Sequence, residues 1–160
     1  MTPATKPLDQ IDIILLQALQ QDATVSHQHL AQLVGLSLTG IHKRIKRLEQ
    51  HGIIKQTVTL LERERLGLDL MCYLNATFKS NTNPKNMNAL RVACAAMPEV
   101  LECYTLTGSF DAIIKIIVPD HRALREFMER FAKAQNVIER IQTSIVLEEI
   151  KETHELMLSV

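Results

Sequence analysis

The sequence predicts an α+β protein in two parts: an N-terminal winged-type helix-turn-helix, and a C-terminal ferredoxin-like domain of element order βαββαβ. Three observations predict it. Within the first 52 residues one helix-start chemistry recurs three times at short intervals. Positive charge is concentrated in one stretch, residues 27–55. From Leu70 onward the apolar pattern changes to strand-like alternation, interrupted by two helical stripes.

Each of the three helix starts sets a side-chain oxygen at the N-cap, where it can accept from an orphan amide, and an apolar pair at N′ and N4 that staples the entry. The caps are Asp9 with Leu8 and Ile13, Ser26 with Val25 and Leu30, and Ser37 with Leu36 and Ile41. The first helix carries Ile11, Ile14, Leu15, Ala18 and Leu19 as its apolar stripe, and the second carries Leu30, Ala31, Leu33 and Val34. Between the second and third lies Val34-Gly35-Leu36-Ser37, a turn whose glycine takes a positive φ without steric cost. This is a helix-turn-helix connection.

The third helix carries the chemistry. Drawn at about 100° per residue from Ile41, its wheel puts Ile45 and Leu48 within about 40° of Ile41, facing inward. Thr39, Lys43, Lys46, Arg47 and Gln50 cluster on the opposite side, with His42 on one flank. Lys and Arg neutralise phosphates and release counterions, and Arg and Gln also pair bidentately with base edges. Gly40, in the first turn after Ser37, allows close backbone approach. Arg44 lies about 60° from Ile41, at the edge of the buried face. Two roles stay open for it: pairing with an acid that braces the motif, or contacting phosphate. A solvated amphipathic helix is the plainer alternative for this segment taken alone; the tri-helical context decides for DNA. The candidate contacts to double-stranded DNA are therefore Ser37, Thr39, Gly40, His42, Lys43, Arg44, Lys46, Arg47 and Gln50.

Gly52 follows as a C′ residue, closing a helix-turn-helix domain over 1–54. An extended linker over 55–67 includes the Thr-, Val- and Leu-rich stretch Lys55 to Leu61 and a short charged turn from Glu62 to Leu66. The second domain spans 68–160. Leu70, Cys72, Leu74, Ala76 and Phe78 alternate on one face of a strand that ends at Ser80-Asn81-Thr82-Asn83. Asn83 caps a helix opened by Pro84, with Met87, Leu90, Cys94 and Met97 as its stripe, and Pro98 ends it. A second strand runs from Val100 to Thr107, a tight connection follows through Gly108-Ser109-Phe110, and the continuous apolar run Ala112 to Val118 marks a central strand. Asp120 caps a helix with Leu124, Phe127, Met128 and Phe131 inward, and a last long strand runs from Val137 to Ile150. Two helices cover one sheet face; the other face needs a partner, so dimerisation is expected through it or through the sheet's edges.

Composition narrows the function classes. The 160 residues include no Trp and only six Phe and Tyr, so the cores are aliphatic. Net charge is zero, yet residues 27–55 hold Lys43, Arg44, Lys46, Arg47 and Lys55 against the single acid Glu49. From Leu66 onward ten cations face twelve acids, which makes the second part unsuited to broad phosphate contact. Cys72, Cys94 and Cys103 have no metal-ligand spacing and read as buried free thiols; no metal and no cofactor is implied. No apolar run is long enough for a membrane, and the opening Met1-Thr2-Pro3-Ala4-Thr5-Lys6-Pro7 lacks a leader's apolar core, which points to the cytoplasm.

Read together, Leu8-Asp9 with Asp12 and Ile14-Leu15, Leu30-Ala31 with Val34-Gly35-Leu36-Ser37, Arg44-Ile45 with Arg47-Leu48-Glu49, Gly52-Ile53-Ile54, Pro98-Glu99-Val100, and Thr107-Gly108 with Phe110-Asp111 resemble one family. It is the leucine-responsive regulator and asparagine-regulator (Lrp/AsnC, feast/famine) family of prokaryotic transcription factors, and the resemblance covers nearly the whole chain. Departures fall at Leu38, where members often carry proline, and at Thr57, where an aromatic residue is common; they bear on the operator sequence rather than the fold. The resemblance implies a sequence-specific DNA-binding regulator whose homodimers assemble further, commonly to octamers. It also implies an amino-acid effector bound between dimers, near Thr107, Gly108, Ser109, Phe110 and Asp111, with Thr143 at another pocket position. The chemistry of those residues suits a zwitterion: the Gly108 amide and the Thr107 or Ser109 hydroxyls for its carboxylate, Asp111 for its ammonium. A plain hairpin turn remains the alternative for Gly108 to Asp111. Two other function classes share the plan. One is a sequence-tolerant architectural protein that wraps DNA, and the other a tetrapyrrole decarboxylase, for which no nucleophile, base and orienting group can be assigned as a set.

Overall fold

The computed structural model describes residues 8–81 and 83–158. The opening residues 1–7, read above for a leader, and Thr82 of the predicted turn lie outside these, as do the side chains of 84–86. The chain divides into two compact units. One takes in the residues up to Leu60 together with those from Lys151, and the other is Leu61–Ile150.

The first unit holds α1 (Gln10–Gln21), α2 (His27–Val34) and α3 (Leu38–Gln50). All three expected caps are in place: Asp9, Ser26 and Ser37 have extended backbone, and their side chains accept from the amides of Asp12, His29 and Gly40 at 2.9, 3.1 and 3.2 Å. α2 stops at Gly35, whose φ of 68° is the left-handed conformation that costs a side-chain-bearing residue most. There the Gly35 and Leu36 amides both donate to Ala31 O. The core is Leu15, Leu30, Ala31, Ile41 and Ile45, with Ile11, Ala18, Leu19, Val25, Val34, Leu36 and Ile54 packed against it. Two details differ from the sequence reading. Leu33, expected on the buried face of α2, is 52% exposed, and α1 additionally buries Ile13 and Leu16. The segment from Lys151, expected at the end of the second domain, groups with this first unit: the Gln20 side chain donates to Leu156 O at 3.2 Å and accepts from Leu156 N at 2.8 Å.

Residues 55–62 form neither helix nor strand, and a 3-10 turn follows at Glu64–Leu66. The second unit then runs β1 (Leu70–Phe78), α4 (Pro84–Ala96), β2 (Val100–Thr105), β3 (Ala112–Val118), α5 (His121–Ala134) and β4 (Ile138–Ile145). The antiparallel sheet has the order β2-β3-β1-β4, which puts β3 and β1 at its centre and β2 and β4 at its edges. This is the ferredoxin-like arrangement, and the burial alternates as a one-sided sheet requires. Cys72, Leu74, Ala76, Ala112, Ile114, Ile116 and Val118 are buried with Leu90, Ala93, Phe127 and Phe131 of the helices. α5 begins at Asp120, which accepts from Ala123 N at 2.8 Å. The turn into β4 is built on buried Gln135, whose Oε1 accepts from the amides of Val137 and Ile138 at 2.8 and 2.9 Å.

Three expectations need correction. β2 ends at Thr105, not Thr107: the Leu106 amide to Asp111 O at 2.8 Å is a further bond in register with the β2–β3 ladder, and beyond it the chain turns through Thr107 to Phe110. β4 ends at Ile145, not Ile150. It pairs only with β1, and near the start of β1 the Val146 amide to Met71 O is the last bond of that ladder. Of the three cysteines only Cys72 is buried; Cys94 is half-buried and Cys103 exposed, since an edge strand leaves one flank open.

Replacing Gly35 by alanine forces a Cβ into the left-handed turn, and the expected cost is about 1 to 2 kcal/mol in urea denaturation of the full chain. An unchanged midpoint would show that the turn relaxes into another geometry.

Candidate functional site

α3 is positioned by charge as much as by its apolar face. Ile41, Ile45 and Leu48 are buried as the wheel requires. On one flank of that face Arg44 and Arg47 turn back to α1. Arg44 Nη1 donates to Asp9 at 2.7 Å and to Asp12 Oδ1 at 2.8 Å, and Arg47 Nη2 donates to Asp12 Oδ2. The Asp12 side chain is 1% exposed, so its carboxylate lies out of water with a guanidinium on each oxygen. Asp12 Oδ2 also accepts from Asp9 N at 3.2 Å, completing a capping box at the start of α1. The hydrogen bond from Arg44, then that from the Asp12 amide, hold the Asp9 carboxyl below its ordinary value; Asp9 reciprocally raises Arg44.

For Arg44 the structure supplies the brace, an acid partner on α1. Arg47, expected on the outward strip, is drawn to Asp12 instead, because it sits about 60° beyond Arg44 on the same flank and its long side chain reaches back. Asp12 is the member that sequence reasoning missed. An acid three residues after the Asp9 cap was its available signal.

What remains outward is Thr39, His42, Lys43, Lys46 and Gln50, all exposed. His42 is tied sideways: its ring meets that of His27, the first residue of α2, edge-on at 4.3 Å, with His27 Nδ1 and His42 Nε2 3.2 Å apart. Ser37 spends its hydroxyl on the cap. A Cβ at Gly40 would meet Ser37 Oγ at 3.4 Å and Leu36 Cβ at 3.7 Å, so this position faces the turn. The arrangement presents two ammonium groups together with hydrogen-bonding side chains on one helical surface, a set suited to phosphates and base edges.

The second set of candidates is less concentrated. Thr107, Gly108 and Ser109 are exposed and Phe110 half-buried in the loop between β2 and β3. Gly108 has φ 125° with open space about it, which only glycine adopts freely. Asp111 is anchored: its Oδ2 accepts from Phe78 N at 2.7 Å and its amide donates to Ala76 O. Its carboxylate therefore already has a structural duty. Thr143, on β4, pairs with Leu74 of β1, whereas the loop ends beside Ala112 of β3, which pairs with Ala76 on the other side of β1. One subunit thus leaves Thr143 two strand spacings of about 4.8 Å from the loop and does not gather the six residues into one pocket. A cleft of about 520 Å³ lies elsewhere, between α4 and β2, and none of the six lines it.

Comparison with known proteins places both units. A family model described as winged helix-turn-helix DNA-binding matches residues 8–55, and one described as Lrp/AsnC ligand binding domain matches residues 73–156. The chain is 35% identical over 149 residues to the DNA-binding transcriptional activator DecR of Escherichia coli (93% of this chain, 97% of that one). It is 34% identical over 146 residues to the transcriptional regulator AzlB of Bacillus subtilis (91% and 92%). Among solved structures, a transcriptional regulator of Neisseria meningitidis in complex with L-methionine superposes with a TM-score of 0.87 at 30% identity, covering 94% of this chain and 97% of that one.

Removing the Asp12 carboxylate takes away the acid that Arg47 pairs with and leaves Arg44 with Asp9 alone. Asp12→Ala is expected to cost roughly 2 to 4 kcal/mol in chemical denaturation, less than for a fully buried pair because both arginines stay partly solvated. Lys43→Ala and Lys46→Ala should stay within about 0.5 kcal/mol of the parent. Equal losses in all three would mean that the pairing does not set the stability of α3. The lowered Asp9 pKa stabilises the fold above the unfolded value near 3.8 and is lost as pH falls through the folded value. In an NMR titration Arg44→Ala should return Asp9 towards its ordinary value.

Proposed function

The chain belongs to the Lrp/AsnC family of transcriptional regulators, and on that premise we propose that α3 reads double-stranded DNA through Thr39, His42, Lys43, Lys46 and Gln50. Regulation of transcription by DNA binding is the activity of the protein. The observation that carries the residue assignment is the exposed face of α3, held in one rotation by the Arg44 and Arg47 pairs to Asp12. Within this reading Arg44 and Arg47 position the helix, Ser37 caps it, and Gly40 keeps its first turn slim. Binding follows the usual division: the lysines neutralise phosphates, and Thr39, His42 and Gln50 meet base edges. No catalytic step is assigned, and the site of action is the cytoplasm, where the DNA of a prokaryote lies.

The functional unit in this proposal is a homodimer that assembles further, up to an octamer. The outer sheet face supports it: Tyr73, Ile113 and Ile117 are half-buried and Tyr104 is exposed, with Asn75 and the Lys115–Glu102 ion pair among them, a mixed apolar and polar surface on the side away from the helices. We further propose that an amino acid binds where the loop Thr107, Gly108, Ser109, Phe110 and Asp111 meets a second copy, with Thr143 contributed across that contact. The support is the description of the matching family model and the L-methionine held by the Neisseria relative. Thr107, Ser109 and the Gly108 amide supply donors for a carboxylate.

Fluorescence anisotropy on DNA from upstream of the chain's own gene, against unrelated DNA at two salt concentrations, tests the first part. Tighter binding to the upstream DNA is expected, and Lys43→Ala should lower affinity and reduce the slope of log K against log salt by about 0.9 for each phosphate it no longer neutralises. Equal, weak binding to both DNAs would favour a sequence-tolerant architectural role. Calorimetric titration with L-methionine and the other amino acids tests the second part. Heat with at least one of them is expected, abolished in Thr107→Ala and Ser109→Ala with DNA affinity kept. Silence from all twenty, with sedimentation unchanged, would remove the effector site and leave the DNA reading standing.

A further inference from the structure

The cleft between α4 and β2 holds a chemistry that DNA binding does not use. Cys94 lies on the sheet-facing side of α4, packed against the core, and Cys103 lies on β2 opposite buried Ile114, so both side chains are on the helix-covered face of the sheet. The two thiols perturb each other, Cys103 raising Cys94 and Cys94 lowering Cys103. Both line the cleft of about 520 Å³, with Leu90, Arg91 and Thr105, and exposed Cys103 gives solvent access to the pair. Two thiols lining one cleft, one of them open to solvent, are an arrangement that packing does not require: either residue alone would fill its place as a small apolar group.

We propose that Cys94 and Cys103 form a redox-active dithiol, oxidised by a hydroperoxide to an intramolecular disulfide that ties edge strand β2 to α4. The roles are unequal. Cys103, with burial acting in the same direction, holds Cys94 strongly in the thiol form; Cys103 is in turn lowered by Cys94 to about 7. Cys103 is therefore the attacking thiolate. It attacks one peroxide oxygen, the O–O bond breaks, and the leaving hydroxide takes a proton to become water, leaving Cys103 as a sulfenic acid. The Cys94 sulfur then attacks the Cys103 sulfur, the S–O bond breaks, and the departing hydroxide takes the Cys94 proton. Two thiols have lost two electrons and two protons, and the peroxide has become two waters (alcohol and water for an organic hydroperoxide). The sulfurs must close to about 2.05 Å. β2 can follow, since it pairs on one side only and its register already shifts between Val100 and Glu102. Cys72, fully buried with its thiol pushed up by burial, is the internal control.

The test treats the reduced full-length protein with hydrogen peroxide, counts free thiols by maleimide-polyethylene-glycol labelling under denaturing conditions, and maps linked peptides by mass spectrometry. Loss of two of the three thiols is expected, with a Cys94–Cys103 peptide pair two mass units lighter than the reduced peptides, no covalent dimer on a non-reducing gel, and full reversal by dithiothreitol. Cys103→Ser should resist the same dose at least tenfold longer. Cys94→Ser should stop at a sulfenic acid that dimedone captures. Circular dichroism of both variants checks that they fold. An intact count of three thiols, a bridge to Cys72 or between chains, or equal reactivity of Cys103→Ser and the parent would each overturn the proposal.

Discussion

A carboxylate out of water must be neutralised or paired, and the N-terminal unit meets that constraint at Asp12 with two guanidinium groups. The arrangement decides more than stability. Both arginines come from α3 and the acid from α1, so the pairs fix the rotation of α3 about its axis, which the apolar contacts of Ile41, Ile45 and Leu48 alone define only loosely. With Arg44 and Arg47 turned inward, Lys43 and Lys46 are left as the outward cations of that helix. Arg44 reaches both carboxylates through one nitrogen, Nη1, so the Asp9 cap and the buried Asp12 are tied to α3 by the same group. The same aspartate accepts the Asp9 amide, so the start of α1 and the setting of α3 depend on one side chain.

In the second unit the corresponding constraint is ladder partnership. β3 and β1 each have a neighbour on both sides and keep the alternation the sequence displays, buried against the helices and half-buried on the outer face. β2 and β4 have one neighbour each, and their lengths follow from that neighbour rather than from their own composition. The apolar residues after Ile145 have the composition of continued strand, yet Leu147 and Ile150 are almost fully exposed because nothing pairs with them. The exposure of Cys103 has the same origin, an open edge beside α4.

These cases show where reading the sequence stops. Caps and short periodic patterns are local, and so Asp9, Ser26, Ser37 and Asp120 were legible as helix starts, as were the inward faces of α3 and α5. A helical wheel gives directions but not reach: it placed Arg47 with the outward strip although its side chain spans the flank to an acid in another helix. Asp12 was hidden because its role depends on residues more than thirty positions away. Strand ends were hidden because they depend on the partner. The candidate effector residues were legible as donors and acceptors, but not the bond from the Phe78 amide that already engages Asp111.

The candidate effector residues are scattered over the sheet of the second unit. Within one subunit Thr143, on one edge strand, lies two strand spacings, about 10 Å, from the β2–β3 loop, which is why the proposed site is completed by a second copy. In the proposed site a ligand is held by two copies. Binding and assembly are then one linked equilibrium, in which ligand strengthens the association that completes its site by the same factor that association strengthens the ligand's affinity. Such a ligand needs no direct contact with DNA to change transcription. A dimer or octamer presents several copies of α3 at once, and the number and spacing of those copies set how much DNA is engaged. The response to an amino acid in this design depends on protein concentration as well as ligand concentration, which a site enclosed in one subunit would not show.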